Sequence, residues 1–174
     1  MFCNTTGVRN TVSGMQALYT NTTGQSNTVS GYKALYQTTT GSYNTGSGMY
    51  ALKDNTTGSC SVATGYKALF SNTTGKPNTA SGYQVLRSNT TGSYNTASGG
   101  YALRDSTTSS YNTGLGYKAL MVNTTGCKNT AVGGQSLDSN TTGQLNTAVG
   151  FNALGASTTS SYNCLLYTSP SPRD

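Results

Sequence analysis

The residue types that usually perform catalysis or bind metals are scarce in this sequence. It has no histidine, and its only acidic residues are Asp54, Asp105, Asp138 and Asp174, which are far apart along the chain. Acid–base catalysis and nucleophilic triads need a positioned imidazole or a pair of carboxylates. Zinc sites need clustered His or Cys, and calcium-binding solenoids need an Asp in every turn. The sequence therefore predicts no enzyme, no cofactor and no metal site.

The cysteines are not spaced as a disulfide framework. Cys3, Cys60 and Cys127 occupy different positions of the repeat described below. From Cys60 to Cys127 the chain passes through four repeats, about 19 Å at about 4.8 Å per stacked strand. A disulfide spans at most about 7 Å between Cα atoms. We therefore expect free thiols.

Tyrosine and lysine recur together, and this pattern indicates a binding surface. The candidate residues are Tyr32, Lys33, Tyr66, Lys67, Tyr83, Tyr117 and Lys118. Aromatic side chains suit the recognition of sugars or surface polymers. Weak, identical contacts repeated along a chain raise the effective concentration for each successive contact. We expect either a distributed, multivalent binding surface or a contact with a neighbouring protomer.

The net charge of +6 arises from ten basic and four acidic residues spread over the whole chain. Lys33, Lys67 and Lys118 share one repeat position, so a thin basic stripe that contacts an anion is one interpretation. We favour the simpler interpretation, a lightly charged and soluble surface with no nucleic-acid partner. The sequence has no run of about 18 apolar residues, which predicts no membrane insertion.

A 17-residue repeat positions all of these residues. It starts at Asn4 and reads approximately Asn-Thr-Thr-Gly-x-x-Asn-Thr-(Ala/Val/Gly)-x-Gly-x-x-Ala-Leu-x-x. These residues are numbered 1 to 17 as repeat positions below. Nine repeats are complete, and a tenth begins at Ser157 and is cut short. A short, fixed period indicates that each repeat is one rung stacked on its neighbours.

The two invariant residues of the repeat are the Gly at position 11, as in Gly65 and Gly82, and the Leu at position 15, as in Leu69 and Leu86. The Gly indicates a positive φ or a close backbone approach, and the Leu indicates a buried column. Seventeen residues are too few for two helices. They fit two short strands, Asn-Thr-Ala-x before the Gly and x-Ala-Leu-x after it. The Asn-Thr-Thr-Gly segment then forms a corner, in which Asn bonds its own backbone and Gly has φ > 0.

These features predict an all-β fold, a parallel β-solenoid or β-roll with one coil per repeat, over residues 1–163. The period fails at Cys164, where Thr is expected. Residues 164–174 resemble the in-frame translation of a sequencing-library adapter, and Pro170 and Pro172 cannot donate to a strand ladder. We expect this segment to be a non-native tail that does not continue the solenoid. Met1 falls at the Leu position, so we expect the chain to be a fragment.

Residues 129–133 and 146–150 (Asn-Thr-Ala-Val-Gly) and residues 65–69 (Gly-Tyr-Lys-Ala-Leu) resemble the repeats of phage tail-fibre-like proteins and of trimeric autotransporter adhesin heads. The resemblance implies a left-handed parallel β-roll that serves as a fibre shaft or a surface-binding head. It also implies a homotrimer on a virion tail fibre or a bacterial cell surface. The implied partner is a host-cell surface glycan or protein.

Two other functions fit the sequence less well. Regular Thr pairs suggest an ice-binding β-solenoid, but adjacent residues such as Thr5 and Thr6 point to opposite faces of a strand. Ice-binding surfaces usually place Thr on one face with a single spacer residue. A carbohydrate-active enzyme would need a cluster of carboxylates. The seven Asn-Thr-Thr glycosylation motifs are explained better as a column of turns.

Overall fold

The computed structural model describes residues 3–166, which form a parallel β-solenoid. Each repeat makes one coil with one short strand, and this part of the chain contains no helix. The strands are β1 (Thr11–Ser13), β2 (Thr28–Ser30), β3 (Thr45–Ser47), β4 (Val62–Thr64), β5 (Asn78–Ser81), β6 (Asn95–Ser98), β7 (Thr113–Leu115), β8 (Thr130–Val132), β9 (Thr147–Val149) and β10 (Cys164–Leu166). They form one sheet in sequence order. The predicted β-solenoid with one coil per repeat is confirmed, and its left-handed sense stays a prediction.

The register of the sheet equals the period of the sequence. Thr11 pairs with Thr28 and Thr45 pairs with Val62, both 17 residues apart. Outside the strands, the N–H of Leu52 donates to the carbonyl of Ala68 on the next coil at 3.0 Å. The coils therefore stack rung on rung, as the period predicts.

The strands alternate between the core and solvent. In β6, Asn95 and Ala97 are buried, whereas Thr96 and Ser98 are exposed. Successive side chains of a strand point to opposite faces of the sheet. Repeat positions 8 and 10 therefore lie on the outer face of the sheet, and position 9 faces the core.

The segment after the invariant Gly is a turn. The prediction of a second strand in this segment is therefore wrong. In one coil φ is +53° at Gln84 and +49° at Leu86, which are left-handed values far from the β region. The N–H of Leu86 nevertheless donates to the carbonyl of Ala102 at 3.1 Å. Hydrogen bonds between coils thus pair the backbone groups of this segment although the segment is not extended. The apolar Ala-Leu pair in the sequence does not distinguish such a turn from a strand.

The core is a narrow column of aliphatic side chains from repeat positions 9, 14 and 15. Its fully buried leucines are Leu18, Leu35, Leu52, Leu69, Leu86, Leu103, Leu120 and Leu137. Leu154 is only partly buried. Full burial of one leucine contributes about 2 kcal/mol. Because each coil has only one, the polar columns beside the leucines also matter for stability.

The invariant Gly is required both by its backbone conformation and by the lack of room for a Cβ beside the next coil. Gly65 and Gly82 have φ of +124° and +132°, a region that residues with a Cβ rarely adopt. A Cβ at Gly65 would also collide with the carbonyl of Gly82 on the next coil. A side chain in this column is therefore strained by its φ, and at Gly65 it is also blocked by the close approach of the next coil.

The Asn-Thr-Thr-Gly segment forms a corner that is hydrogen-bonded to the next coil. The carbonyl of Thr39 accepts bonds from the N–H groups of Thr22, Thr23 and Gly24 at 2.9, 3.2 and 3.3 Å. It also accepts a bond from the Thr22 hydroxyl at 3.0 Å. One carbonyl thus satisfies several backbone groups that a tight corner would otherwise leave unpaired.

Within this corner, the predicted local bond of the Asn is present, but the predicted φ of the Gly is wrong. The Asn21 side chain donates to the carbonyl of Gly24 at 3.0 Å. Gly24 does not have a positive φ, and Ser26 instead has φ of +55°. Gly24 is required by space, because a Cβ there would collide with the Asn21 side chain and the carbonyl of Gly41.

The corner asparagines form a buried ladder along the solenoid. The side-chain amide of Asn72 donates to Oδ1 of Asn55, and that of Asn89 donates to Oδ1 of Asn72, both at 2.8 Å. The fully buried members are Asn21, Asn55, Asn72, Asn89, Asn123 and Asn140. Each of these amides donates to a backbone carbonyl three residues later. These glycosylation motifs therefore act as turns, with their amide nitrogens buried and hydrogen-bonded.

The ladder is interrupted wherever the repeat loses its Asn. Three buried Oδ1 atoms in the described residues have no hydrogen-bond partner, those of Asn21, Asn89 and Asn140. Each precedes a coil whose position 1 holds a hydroxyl residue, namely Thr38, Ser106 or Ser157. A hydroxyl at that position does not reach the preceding Oδ1.

The Asn and Gly of the corner depend on each other. A Cβ at Gly92 would collide with the side chain of Asn89 in its own coil. In the following coil Ser106 and Ser109 replace both residues, and their hydroxyls are in contact. The short Ser106 side chain therefore leaves room for the Cβ of Ser109.

We expect the double substitution Ser106→Asn/Ser109→Gly to stabilise the solenoid by about 2 kcal/mol, because it restores two ladder bonds at about 1 kcal/mol each. Ser106→Asn alone should destabilise, because the amide collides with the Cβ of Ser109. Urea unfolding of the parent, both single variants and the double variant measures the coupling. Additive effects would contradict the proposed dependence of Asn on Gly.

The solenoid extends one strand beyond its expected end. Leu165 pairs with Ala148, and β10 continues the parallel register of β9. The expectation that the coil stops before Cys164 is therefore wrong for residues 164–166. The exposed edge of β9 offers its hydrogen bonds to any extended segment, and Leu165 occupies the inward-facing position of the strand. The rest of the expected tail lies outside the described residues, and its adapter origin stays a prediction.

Candidate functional site

The predicted binding residues lie on the turn that follows the invariant Gly, at repeat positions 12 and 13. The backbone of this turn is fixed by the coils on either side of it. The N–H of Tyr50 donates to the carbonyl of Tyr32 at 3.0 Å, and the N–H of Lys67 donates to the carbonyl of Met49 at 3.0 Å. Side chains on this turn therefore project from a backbone that repeats regularly along the solenoid.

Six tyrosines of this turn form a continuous row, called the aromatic ridge below. Its members, one from each of six consecutive coils, are Tyr32, Tyr50, Tyr66, Tyr83, Tyr101 and Tyr117. Four of them occupy position 12. In the two coils where position 12 holds Met49 or Gly100, position 13 supplies the tyrosine instead.

The rings of the aromatic ridge contact one another throughout. Successive ring centroids are 5.4, 6.5, 5.3, 5.2 and 6.0 Å apart. Tyr66 and Tyr83 are stacked, whereas the other neighbours meet edge to face. These are the preferred arrangements of aromatic pairs. The ridge is therefore an unbroken line of contacting rings that follows the stacked coils.

Three lysines lie on the aromatic ridge. The ammonium groups of Lys33, Lys67 and Lys118 lie 5.3, 5.2 and 5.2 Å from the ring centroids of the tyrosines that precede them. Lys67 also lies 5.5 Å from the ring of Phe70. Cation–π contacts of this length hold the ammonium groups beside the rings.

The pKa values of two ridge residues, Lys33 and Tyr101, are raised. The pKa of Lys33 is raised, chiefly by a side-chain hydrogen bond with Tyr32, so this lysine stays protonated at neutral pH. Desolvation raises the pKa of the Tyr101 hydroxyl, with a further contribution from Tyr83. At neutral pH the Lys33 side chain is therefore an ammonium group and the Tyr101 side chain a neutral phenol.

Two other cations beside the ridge are neutralised by acids. Lys53 pairs with Asp54 at 2.8 Å, and Arg104 pairs with Asp105 at 2.6 Å. Within residues 3–166 these are the two salt bridges. In the described part of the chain, the three lysines on the ridge therefore have no acidic partner.

The structure brings all seven candidate residues together on the ridge, and it adds three that the sequence analysis missed. Tyr50 and Tyr101 belong to the ridge, and Phe70 contacts both Tyr50 and the ammonium of Lys67. A signal for the tyrosines exists in the sequence, because position 13 holds Tyr in the two coils whose position 12 holds Met49 or Gly100. The ridge is continuous only because stacked turns place both positions in one row.

A second regular surface is the outer face of the sheet, where positions 8 and 10 carry hydroxyl groups on either side of a buried residue. Thr28 and Ser30 flank Val29 in this way, and Thr96 and Ser98 flank Ala97. In the last strands position 10 is aliphatic, as at Leu115 and Val149. This Thr-x-Ser pairing differs from the adjacent Thr pairs considered in the sequence.

Other kinds of site are absent from residues 3–166. No three His, Cys, Asp or Glu residues lie together in a group able to hold a metal ion, and no pocket is present there. Cys3, Cys60 and Cys127 are free thiols, as predicted, and Cys164 is a free thiol as well. This part of the chain has no helix with the length and hydropathy of a membrane span.

The fold defines the class of protein, a repetitive β-solenoid. No family model, curated protein or solved structure matches the chain. Function therefore has to be inferred from the surfaces of the solenoid itself.

Proposed function

We propose that this chain is a rigid segment of an extracellular fibre, a tail-fibre shaft or an adhesin head, which acts as a spacer and binds surfaces through the aromatic ridge. The ridge carries this proposal, since it offers six aromatic contacts in line and three ammonium groups on one side of a regular rod. Contacts of this kind are individually weak and gain strength by repetition. The chain acts as a passive binding module and catalyses no reaction.

The proposed assembly is a homotrimer. Position 12 also carries large exposed apolar side chains towards the ends of the rod, with Met15 at 68% and Phe151 at 70% exposure. Exposed apolar residues at the two ends of a thin rod favour association, because burial between protomers removes apolar surface from water; the ridge tyrosines between these ends stay exposed for binding. Sedimentation of the intact chain tests this: a monomer at micromolar concentration would contradict the trimer.

We expect Tyr66→Ala alone to reduce binding to host-cell surfaces only about threefold or less, because five further ring contacts remain. Replacing all six ridge tyrosines by Ala should abolish binding while the rod stays folded. The matched control replaces Tyr43, Tyr94, Tyr111 and Tyr162, which share repeat position 6 and are exposed. Circular dichroism and sedimentation report the fold and assembly of each variant. Unchanged binding after loss of the whole ridge would contradict its role.

Ice binding is the second candidate, and the outer face of the sheet favours it. Paired strands bring Thr79 beside Thr96 and Ser81 beside Ser98, so hydroxyls repeat along both directions of an uncharged face. We expect Thr96→Tyr to abolish any thermal hysteresis, since a bulky ring interrupts the face at its centre. Thr91→Tyr, at an exposed corner, is the control. A parent solution without thermal hysteresis would exclude this candidate.

A further inference from the structure

The three ridge lysines share a geometry that points to one kind of ligand. Each ammonium lies beside a ring of its own coil, so an anionic group that approaches it meets an aromatic side chain at the same point. A ligand that suits these points combines a negative charge with a ring that packs on tyrosine. Sugar acids have this combination, because a carboxylate lies on the edge of a ring whose C–H groups form an apolar face.

The spacing of the lysines indicates a polymer of low charge density. Lys33, Lys67 and Lys118 belong to the second, fourth and seventh coils, so they are separated by about 10 and about 14 Å at about 4.8 Å per coil. Nucleic acid carries a phosphate on every nucleotide and is usually bound by a dense basic groove. Of the three basic residues at repeat position 16, Lys53 and Arg104 pair with Asp54 and Asp105, which leaves Arg87 as the one without a salt bridge in the described part of the chain, so a dense basic groove is not present there.

The row of rings indicates the direction of the ligand. Neighbouring centroids are 5.2 to 6.5 Å apart, which is comparable to the length of one pyranose unit in a linear chain. A polymer that runs parallel to the rod meets one tyrosine for each sugar and meets a lysine at intervals. A polymer that crosses the rod meets only one or two of these groups.

We propose that the ridge binds a linear acidic polysaccharide that lies along the rod axis, with uronate carboxylates accepting hydrogen bonds from Lys33, Lys67 and Lys118 and sugar rings packing on the ridge tyrosines. This inference rests on the proposed function and names the class of its ligand. Charge–charge contacts at an exposed surface are weak one by one, so the repeated geometry is what makes the binding measurable.

The test compares polygalacturonate with its fully methyl-esterified form, which keeps the sugar chain and removes the charge. We expect the acidic polymer to bind at least tenfold more tightly at low salt, and salt to weaken its binding. Lys67→Gln should weaken binding about two- to fivefold. The triple variant Lys33→Gln/Lys67→Gln/Lys118→Gln should reduce binding to the level of the esterified polymer.

The matched control is the triple variant Arg9→Gln/Lys76→Gln/Lys128→Gln, which loses the same net charge at repeat positions 5 and 6, on the other side of the strand. It should bind polygalacturonate within about twofold of the parent if the ridge lysines make the contacts. Equal losses in the two triple variants would overturn the inference, because general attraction to a basic rod would then suffice.

Oligogalacturonates of increasing length test the direction of the polymer. Affinity should rise until the oligomer spans Lys33 to Lys118, five coils or on the order of 24 Å, and level off beyond that length. An affinity that stops rising at two or three sugars would overturn the parallel arrangement.

The remaining outcomes separate this inference from the proposed function. Equal binding of both polymers, lost when the ridge tyrosines are replaced, overturns the acidic ligand and leaves a surface-binding ridge. Failure to bind polygalacturonate and alginate at low salt overturns the inference as well, whereas host-cell binding by the ridge would still support the proposed function. Tighter binding of single-stranded nucleic acid than of either polysaccharide would show that the ridge serves another class of polymer.

Discussion

Replacing Leu86 by Asp is expected to destabilise the solenoid by about 4 kcal/mol, one of the largest effects of any single substitution in this chain. Leu86 is fully buried in the middle of the leucine column, and the described residues place no cation in that column. An unpaired carboxylate there loses its hydration without compensation. Each coil contacts only its neighbours, so the substitution damages two coil interfaces at once. Thermal and urea unfolding of the variant measures the loss.

Two further variants separate the effect of the introduced charge from the effect of its place in the leucine column. Leu86→Met keeps an apolar side chain of similar volume and should cost less than about 1.5 kcal/mol. Leu154→Asp should cost clearly less than Leu86→Asp, because Leu154 is only partly buried near the last strand. If Leu86→Asp unfolds under the same conditions as the parent, the leucine column does not form the core.

Replacing Gly99 by Ala is expected to destabilise the solenoid by about 3 kcal/mol, because two unfavourable effects act together. Gly99 has φ of +113°, a conformation that residues with a Cβ rarely adopt. A Cβ there would lie 2.6 Å from the carbonyl oxygen of Gly116 on the next coil. The coils would have to separate locally, which weakens the hydrogen bonds between them. The measurement is again the free energy of unfolding.

The neighbouring residue supplies the control for this prediction. Gly100→Ala changes the same residue type one position further on, where φ is not positive. A Cβ at Gly100 would lie 3.5 Å from the nearest heavy atom, a ring carbon of Tyr117, which is ordinary van der Waals contact. We expect a change within about 0.5 kcal/mol of the parent. Equal costs at Gly99 and Gly100 would contradict the close approach of the coils as the reason for the invariant Gly.

The sequence by itself determined the stacking of this protein. A period of 17 residues without gaps brings residue i beside residue i+17, and the sheet has this register in every pair of strands described. It also predicted the buried leucines, such as Leu69, and a positive φ or a close backbone approach at the invariant Gly, and Gly65 shows both. The physical reason is that, in an array without gaps, equivalent repeat positions lie in the same environment in every coil. The residue types found at one position therefore indicate whether that position is buried or exposed.

Only the tertiary structure decided how the chain is bent within each coil. The Ala-Leu segment forms a turn with left-handed residues such as Leu86, because the next coil supplies its hydrogen bonds without an extended backbone. The mutual dependence of Asn89 and Gly92 also arises from a contact inside one corner. Tyr50 and Tyr101 belong to the ridge because the stacked turns place repeat positions 12 and 13 in one row. The period of the sequence shows which residues stack on one another. The path of the backbone within a coil depends on contacts inside the coil and with the next coil, and the pattern of residue types does not show these contacts.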